Sequence, residues 1–423
     1  ETTWKINLRD DVTFSSGRKM DGQAVKECLE DLITVHDRAP EDLKIAEITA
    51  DGQSITIKTK QPVPALINYL SDPYGAIIDM EFGVTEDENV AGTGPYIAEA
   101  VSDTEISLVK NNNYWGGNVK VDRVVVKSIT DGDTMTMALQ SGEIDATQGL
   151  PYASLPLFQN NADYNISSCE TSRSFFAQVN YSTEALKDIN VRKAISMGID
   201  KEGFTKVLLN GNGAKAVGPF PESFNFGDSK VTAPEYNIEA GKKLLEQSGW
   251  SDTNGDGYVD KNGEKLTIRW LTYPSRQELP LLAESVQASL KNLGIDVVVN
   301  STANYKDFIK SGDWDIYASA FVTAPTGDPE YFFTTHCLST STKNRGNYYS
   351  EKLEDLEKQM ASEFDPAKRS DLAVKMTQTI LDDCSFIFAS HLKMSFVTKA
   401  NVTGLVAHPS DYYEITANLD VTQ

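Results

Sequence analysis

At 423 residues the chain is too long for one ordinary hydrophobic core, so two domains or lobes are expected. Its 61 acidic and 39 basic side chains give a formal charge of -22, which repels phosphate backbones and anionic membranes and makes nucleic acid a poor candidate partner. The composition, 40% hydrophobic and 24% charged, is that of a globular protein, and no stretch reaches the roughly 18 consecutive apolar residues that span a bilayer.

In chain order, "TTWKINL" from Thr2 and "SITIKTK" (54–60) alternate with period two and carry β-branched residues, as half-buried strands do. Between them "GQAVKECLEDLI" (22–33) has helical apolar spacing, with Asp21 placed as its N-cap. Residues 106–109 and "DRVVVKSI" (122–129) form two strands joined by the turn "KNNNYWGGN", and "DTMTMALQSGEID" forms a helix stopped by Gly142. A long helix is predicted over 190–211, where Val191, Ala194, Ile195, Ile199, Phe204, Val207 and Leu208 recur at helical intervals. Further helices follow at 238–250 and 278–295, the second leading into the strand "DVVVN" (296–300). With short strands at 266–273 and 314–321, the pattern is that of α/β lobes with mixed sheets. No repeat of 20 to 50 residues and no Pro- or Ser-rich linker divides the chain, so two lobes would be joined by strands.

Chemistry-bearing motifs are sparse. Cys28, Cys169, Cys337 and Cys384 are far apart and make no C-x-x-C pair, which disfavours structural zinc. They permit two disulfides in three connectivities, or free thiols, and the sequence does not choose. In "DTNGDGYVD" (252–260), Asp252, Asn254, Asp256 and Gly257 match the first half of a calcium-binding EF-hand loop. Its twelfth position is Gly263, Glu264 falls one residue late, and a strand follows where a helix should exit. A tight Asx turn accounts for the same residues, so calcium is not expected. G-x-S-x-G, H-E-x-x-H and Walker motifs are absent, and "GTGPYI" (92–97) opens into a strand without the third glycine of a dinucleotide fingerprint. The four histidines, His36, His336, His391 and His408, have no metal-ligand spacing on one helix. Carboxylate pairs are abundant without any being singled out, so a glycosidase dyad stays open and the enzyme reading weak.

Several blocks together resemble the family 5 extracellular solute-binding proteins of ABC importers, which include oligopeptide-, dipeptide- and nickel-binding proteins. "WKINLRDDVTFSSGRKMDGQAVK" (4–26) is similar to the family's strand, "LR-x-x-V-x-F-x-x-G" turn and helix. "GTGPYIAE", "LVKNNNYWGG", "ALQSGEID", "DINVRKAISMGIDKEGF", "AGKKLLEQSGW" and "TGDPEYFF" follow in the family's order, across essentially the whole chain. The resemblance implies a two-lobed periplasmic-binding-protein-like α/β fold with hinge strands and a ligand cleft between lobes. It implies a discontinuous lobe I from 1–178 and 400–423, and a lobe II from 179–399. It also implies no enzymatic activity, a monomer, an ABC permease as membrane partner, and a place outside the cell membrane or in the periplasm. Family members carry a further N-terminal segment that begins with a signal sequence or a lipid-anchored Cys. The expectation is therefore that any signal peptide has been removed, that part of lobe I lies outside this stretch, and that the full-length protein is a lipoprotein.

Candidate ligand contacts follow from the same blocks. Tyr114 and Trp115 sit in a glycine-bounded turn and are placed either as a cleft wall or as packing beneath the turn. Arg173 in the apolar strand "SRSFFAQVN" offers a bidentate fork to a ligand carboxylate or a surface salt bridge, with Phe175 beside it. In "VTAPTGDPEYFF" (322–333), Pro325, Thr326, Asp328 and Tyr331 are read as pocket wall, with Asp328 shaping the turn before a short helix. Peptide-binding members place an Asp four residues before the Pro of the "DP" pair, where it pairs with the peptide's α-ammonium; here that position is Pro325. Nickel-binding members have Ala-Pro ahead of this pair, bind nickel as a chelate, and complete its coordination with a His. The candidates here are His336 and His408. A metal chelate or opine-like solute is therefore ranked above a peptide, with a secreted hydrolase and a sensory or adhesion protein as rival classes.

Overall fold

The computed structural model of the protein describes residues 2–410, 412 and 414–422. β1 (Thr3–Asn7), β2 (Ile45–Asp51) and β3 (Ser54–Thr59) form an antiparallel sheet in the order β1–β3–β2. The helix Gly22–Val35 lays Val25 and Leu29 on Ile45, Ile48, Ile55 and Ile57, as period-two and period-3.6 apolar faces require. It begins on Asp21, whose carboxylate accepts from the Ala24 N–H at 2.9 Å and so satisfies one orphan donor of the first turn. β4 (Tyr96–Val101), β5 (Glu105–Lys110) and β6 (Arg123–Lys127) make a second antiparallel sheet. The helix Gly132–Ser141 stops at Gly142, whose φ of 81° is left-handed and suits a residue without Cβ.

After the short β7 (Ala146–Gln148) comes the long strand β8 (Tyr164–Val179). β9 (Gly213–Lys215), the hairpin β10 (Asp260–Lys261) and β11 (Glu264–Lys265), β12 (Thr267–Thr272), β13 (Asp296–Ser301), β14 (Ile316–Val322) and a second long strand, β15 (Phe386–Lys399), follow. Their main sheet has the order β13–β12–β14–β8–β15, with β9 on β15. β12 is parallel to both β13 and β14, while β14 and β8 are antiparallel. The helices Glu278–Lys291 and Pro366–Asp382 bury Leu282, Val286 and Leu290, and Met376 and Ile380, at i, i+4 spacing. β7 pairs with Phe396–Thr398 of β15.

The chain divides into two units, Glu1–Cys169 with Met394–His408 and Tyr412–Gln423, and Glu170–Lys393 with Pro409–Asp411. The breaks fall at 169/170 inside β8 and at 393/394 inside β15, within about ten residues of the expected 178/179 and 399/400; Arg173–Val179 of β8 pair with β14 in the second unit. The predicted helix over 190–211 is also interrupted. It forms Ile189–Gly198, Lys201–Gly203 and a π-helical Phe204–Leu208. Ile199 is extended, and the Asp200 carboxylate accepts from the Gly203 N–H at 2.8 Å, restarting the helix. A short acidic side chain inside an apolar periodicity competes for backbone donors in this way.

Candidate functional site

The second unit carries a cavity of about 940 Å³ over one face of its sheet. Tyr317, Ser319 and Phe321 alternate along β14 and line it together with Gln178, the register partner of Tyr317 on β8. Tyr273 follows the end of β12, and the helix Tyr305–Ser311 adds Tyr305 and Ile309. The rings of Tyr273 and Tyr305 lie 4.7 Å apart, and Tyr305 stacks on Tyr317 at 5.9 Å, giving a rigid aromatic wall. Burial raises the phenol pKa values of Tyr273 and Tyr317, so both stay neutral at physiological pH.

The charged groups of the lining are all cations: Lys306, Lys310, Lys343 and Arg345. The Lys343 ammonium sits 4.0 Å from the centre of the Phe321 ring. His336 also lines the cavity and is packed by Phe321 at 4.4 Å, Phe332 at 5.1 Å and Phe176 at 5.4 Å. Burial, then the nearby Lys343 and Arg345 charges, hold its pKa well below the usual imidazole range, so it is neutral. Its Nδ1 is buried and makes no well-formed hydrogen bond, although the Phe332 backbone one helical turn earlier acts on the ring electrostatically.

The other sequence candidates lie elsewhere. Arg173, Phe175, Pro325, Thr326, Asp328 and Tyr331 are outside the cavity lining, though Arg173 sits opposite Val322 where β14 enters the 322–333 segment. Phe175 is buried opposite Ala320, Pro325 is buried, and Tyr331 stacks on Phe321 at 5.8 Å. Asp328 accepts from the Glu330 N–H at 3.0 Å, the turn-shaping role, and is gripped by the buried Arg369 at 2.7 and 2.8 Å. Glu330 meets the same guanidinium at 2.7 Å. This triad fixes the start of the helix Glu330–His336, which delivers His336 to the cavity. In the first unit Tyr114 packs on Trp115, and the Arg9 guanidinium lies 4.6 Å over the Trp115 ring. His408 is exposed and belongs to the first unit, whereas His336 belongs to the second.

The sequence profile described as "Bacterial extracellular solute-binding proteins, family 5 Middle" matches residues 1–344. The chain belongs to that family. Family 5 members are extracellular or periplasmic solute-binding components of ABC importers, and this chain is one of them, with the two-lobed periplasmic-binding-protein fold. It is 29% identical over 376 residues to the nickel-binding protein NikA of Staphylococcus aureus, covering 88% of this chain and 74% of that one. The crystal structure of that protein in complex with Ni(L-His)2 superposes with a TM-score of 0.81 at 26% identity, over 100% of this chain and 88% of that chain. A nickel ABC transporter structure from Bacillus halodurans gives a TM-score of 0.83 at 30% identity, over 99% and 88%. The oligopeptide-binding protein AppA of Bacillus subtilis is 28% identical over 351 residues, 80% of this chain and 64% of AppA.

For a family 5 chain, the cavity residues that sequence reasoning missed are Tyr273, Tyr305, Tyr317, Lys343 and Arg345. Tyr273 was within reach, since ligands collect beyond the carboxyl ends of parallel strands and β12 is parallel to both its neighbours. The structure also assembles a Ser–His–Asp chain that no motif announced. Ser174 Oγ is 2.8 Å from His391 Nδ1, and His391 Nε2 is 2.9 Å from Asp228 Oδ2. Those are the residue types of an acyl-transfer triad, but Ser174 is 0% and His391 1% exposed, and Asp228 also accepts from the Val217 and Gly218 N–H groups. No substrate reaches that serine; the chain ties β8 and β15 to the 216–228 loop. Cys28, Cys337 and Cys384 are free thiols. Asp252, Asn254 and Asp256 spend side-chain oxygens on the N–H groups of Gly255, Gly257, Asp256 and Tyr258, the Asx-turn arrangement. Among the described residues no group of three or more His, Cys, Asp or Glu converges as a metal-binding set, and no helix is long and apolar enough to cross a membrane.

Proposed function

We propose that this solute-binding protein captures a metal chelate, with nickel as the first metal to try, or a small opine-like solute, in preference to a peptide held by its α-ammonium. One observation carries the reading: the cavity of the second unit is lined by four cations and no carboxylate. A peptide's ammonium finds no counter-charge there, and Pro325 occupies the position where peptide-binding relatives have their acid. A chelate instead brings its own ligands and needs few from the protein. The neutral imidazole of His336, held among aromatic rings at the cavity wall, suits an open coordination position. The likeness to nickel-binding relatives supports the same choice, and the likeness to AppA keeps peptides as the rival.

Delivery to an ABC permease, a monomeric state and a lipid anchor in the full-length protein complete the proposal. Isothermal titration with nickel in excess L-histidine, against matched di- and tripeptides, tests it. Saturable binding of the chelate without peptide binding is the expected result. Saturable binding of peptides alone would sink the proposal.

A further inference from the structure

Within the proposed small-solute reading, we infer that the solute is an anion and that Arg345 selects it by its acidic group. The inference rests on an inventory of what the cavity has left to offer. Three of its four amide oxygens are committed to the scaffold: Gln178 Oε1 accepts from the Arg345 N–H at 3.0 Å, Asn180 Oδ1 from the Ser182 N–H at 3.0 Å, and Asn344 Oδ1 from the Tyr348 N–H at 3.0 Å. The Asn180 and Asn344 amide nitrogens are spent on the backbone carbonyls of Trp314 at 2.9 Å and Tyr348 at 2.7 Å. These bonds shape the walls, and among the charged side chains of the lining Arg345, Lys306 and Lys310 are left to meet a solute.

Those charges have one sign. The guanidinium of Arg345 makes no hydrogen bond or ion pair among the described residues, and Lys306 and Lys310 make no ion pair there either. All three are exposed side chains, so the charge they share is presented to whatever enters the cavity and is not spent inside the protein. The backbone N–H of Arg345 is pinned to Gln178 beside the aromatic wall, so the fork projects from a fixed root. A planar guanidinium with free donors suits a carboxylate or another oxyanion in bidentate fashion. An ammonium-bearing solute of no net charge, or a cationic one, would place positive charge against positive charge. Among chelates, the cavity therefore ranks a metal held by a polycarboxylate above a net-neutral bis-amino-acid complex such as nickel with L-histidine, which should still bind but more weakly. Among organic solutes it favours a di- or tricarboxylate.

The test is a titration series at low and moderate salt with four probes: nickel citrate, nickel in excess L-histidine, metal-free citrate, and an uncharged-side-chain dipeptide. It uses the wild type, Arg345→Gln, Arg345→Lys, and Lys187→Gln as a control for the loss of a remote surface charge. The expected result is that an anionic probe binds most tightly and weakens as salt rises. Arg345→Gln should lose roughly ten- to hundredfold in affinity for it, the worth of a charge-assisted pair, with Arg345→Lys intermediate and Lys187→Gln unchanged. Because the Arg345 side chain has no partner to lose, the ligand-free melting temperature of Arg345→Gln should match the wild type. Metal-free citrate binding as well as its nickel complex supports the charge inference while overturning the chelate reading. Nickel–histidine binding best and equally to the wild type and Arg345→Gln overturns the charge inference and leaves the chelate reading standing. Failure of every anionic probe also overturns it.

Discussion

Replacing Arg369 with methionine is expected to cost the second unit about 3–5 kcal/mol, because it strands the buried Asp328 carboxylate without its counter-ion and removes the same guanidinium from Glu330. The side chains of Arg369, Asp328 and Glu330 are 7%, 8% and 10% exposed, so solvent cannot take over the pairing. Arg369 gives Asp328 contacts at 2.7, 2.8 and 3.2 Å, Glu330 one at 2.7 Å, and the Met360 carbonyl one at 2.8 Å. The same reasoning makes a second, opposite prediction. In the triple variant Asp328→Asn, Glu330→Gln, Arg369→Met no charge is stranded, so its cost should be smaller than that of Arg369→Met alone, about 2 kcal/mol or less. Urea unfolding followed by tryptophan fluorescence measures both, since Trp270 and Trp314 are buried in this unit, and an unchanged m-value checks that the transitions are comparable. A loss below 1 kcal/mol for Arg369→Met, or a triple variant costing more than the single, would refute the triad as the anchor of the 322–333 segment.

Three further outcomes follow from the geometry. Tyr305→Ala removes the middle ring of the aromatic wall, and solute affinity should fall by about 0.5–1.5 kcal/mol with little change in the ligand-free melting temperature; a titration and a thermal melt read the two separately. Burial pushes the Lys201 amine down to about 8, so between that value and the ordinary one near 10.5 the unfolded chain binds the extra proton and stability rises with pH. Lys201→Met should flatten that rise and be about 1–3 kcal/mol more stable at pH 7 by urea titration; an unchanged pH slope would count against it. Ser174→Ala should cost about 1–3 kcal/mol by leaving His391 Nδ1 without its partner, while wild type and variant alike hydrolyse a chromogenic ester no faster than buffer.

Much of the fold was legible because apolar period and end signals agreed. Asp21 and Gly142 mark helix ends by chemistry that acts within one turn, and β12, β13 and β14 lie where alternating or continuous apolar runs place them. The helix expected over 190–211 breaks because Asp200 sits inside an unbroken apolar period, and its capping bond is decided by one side chain. The cavity was less legible for a different reason. Its wall draws on β8, Tyr273 just past β12, β14, the helix Tyr305–Ser311, His336 and the 343–347 loop, so no local window contains it. Only sheet order, a non-local property, brings Gln178 beside Tyr317.

Asp328 shows how a residue can be conspicuous in sequence and still be assigned its work only by its partner. The "TGDP" stretch marks a turn, and an acid in a turn has two uses, capping a backbone N–H or meeting a ligand. Arg369, 41 positions away, fixes the choice by consuming both carboxylate oxygens. Arg345 is the converse case. It sits in "KNRGN", a polar stretch that reads as solvated loop, and what sets it apart is that it faces the cavity with no ion pair among the described residues. A missing counter-charge is invisible to motif and period, because it is a statement about every neighbour at once. It becomes visible only when the whole lining is assembled, and there the sign of the cavity follows from the four cations that face it.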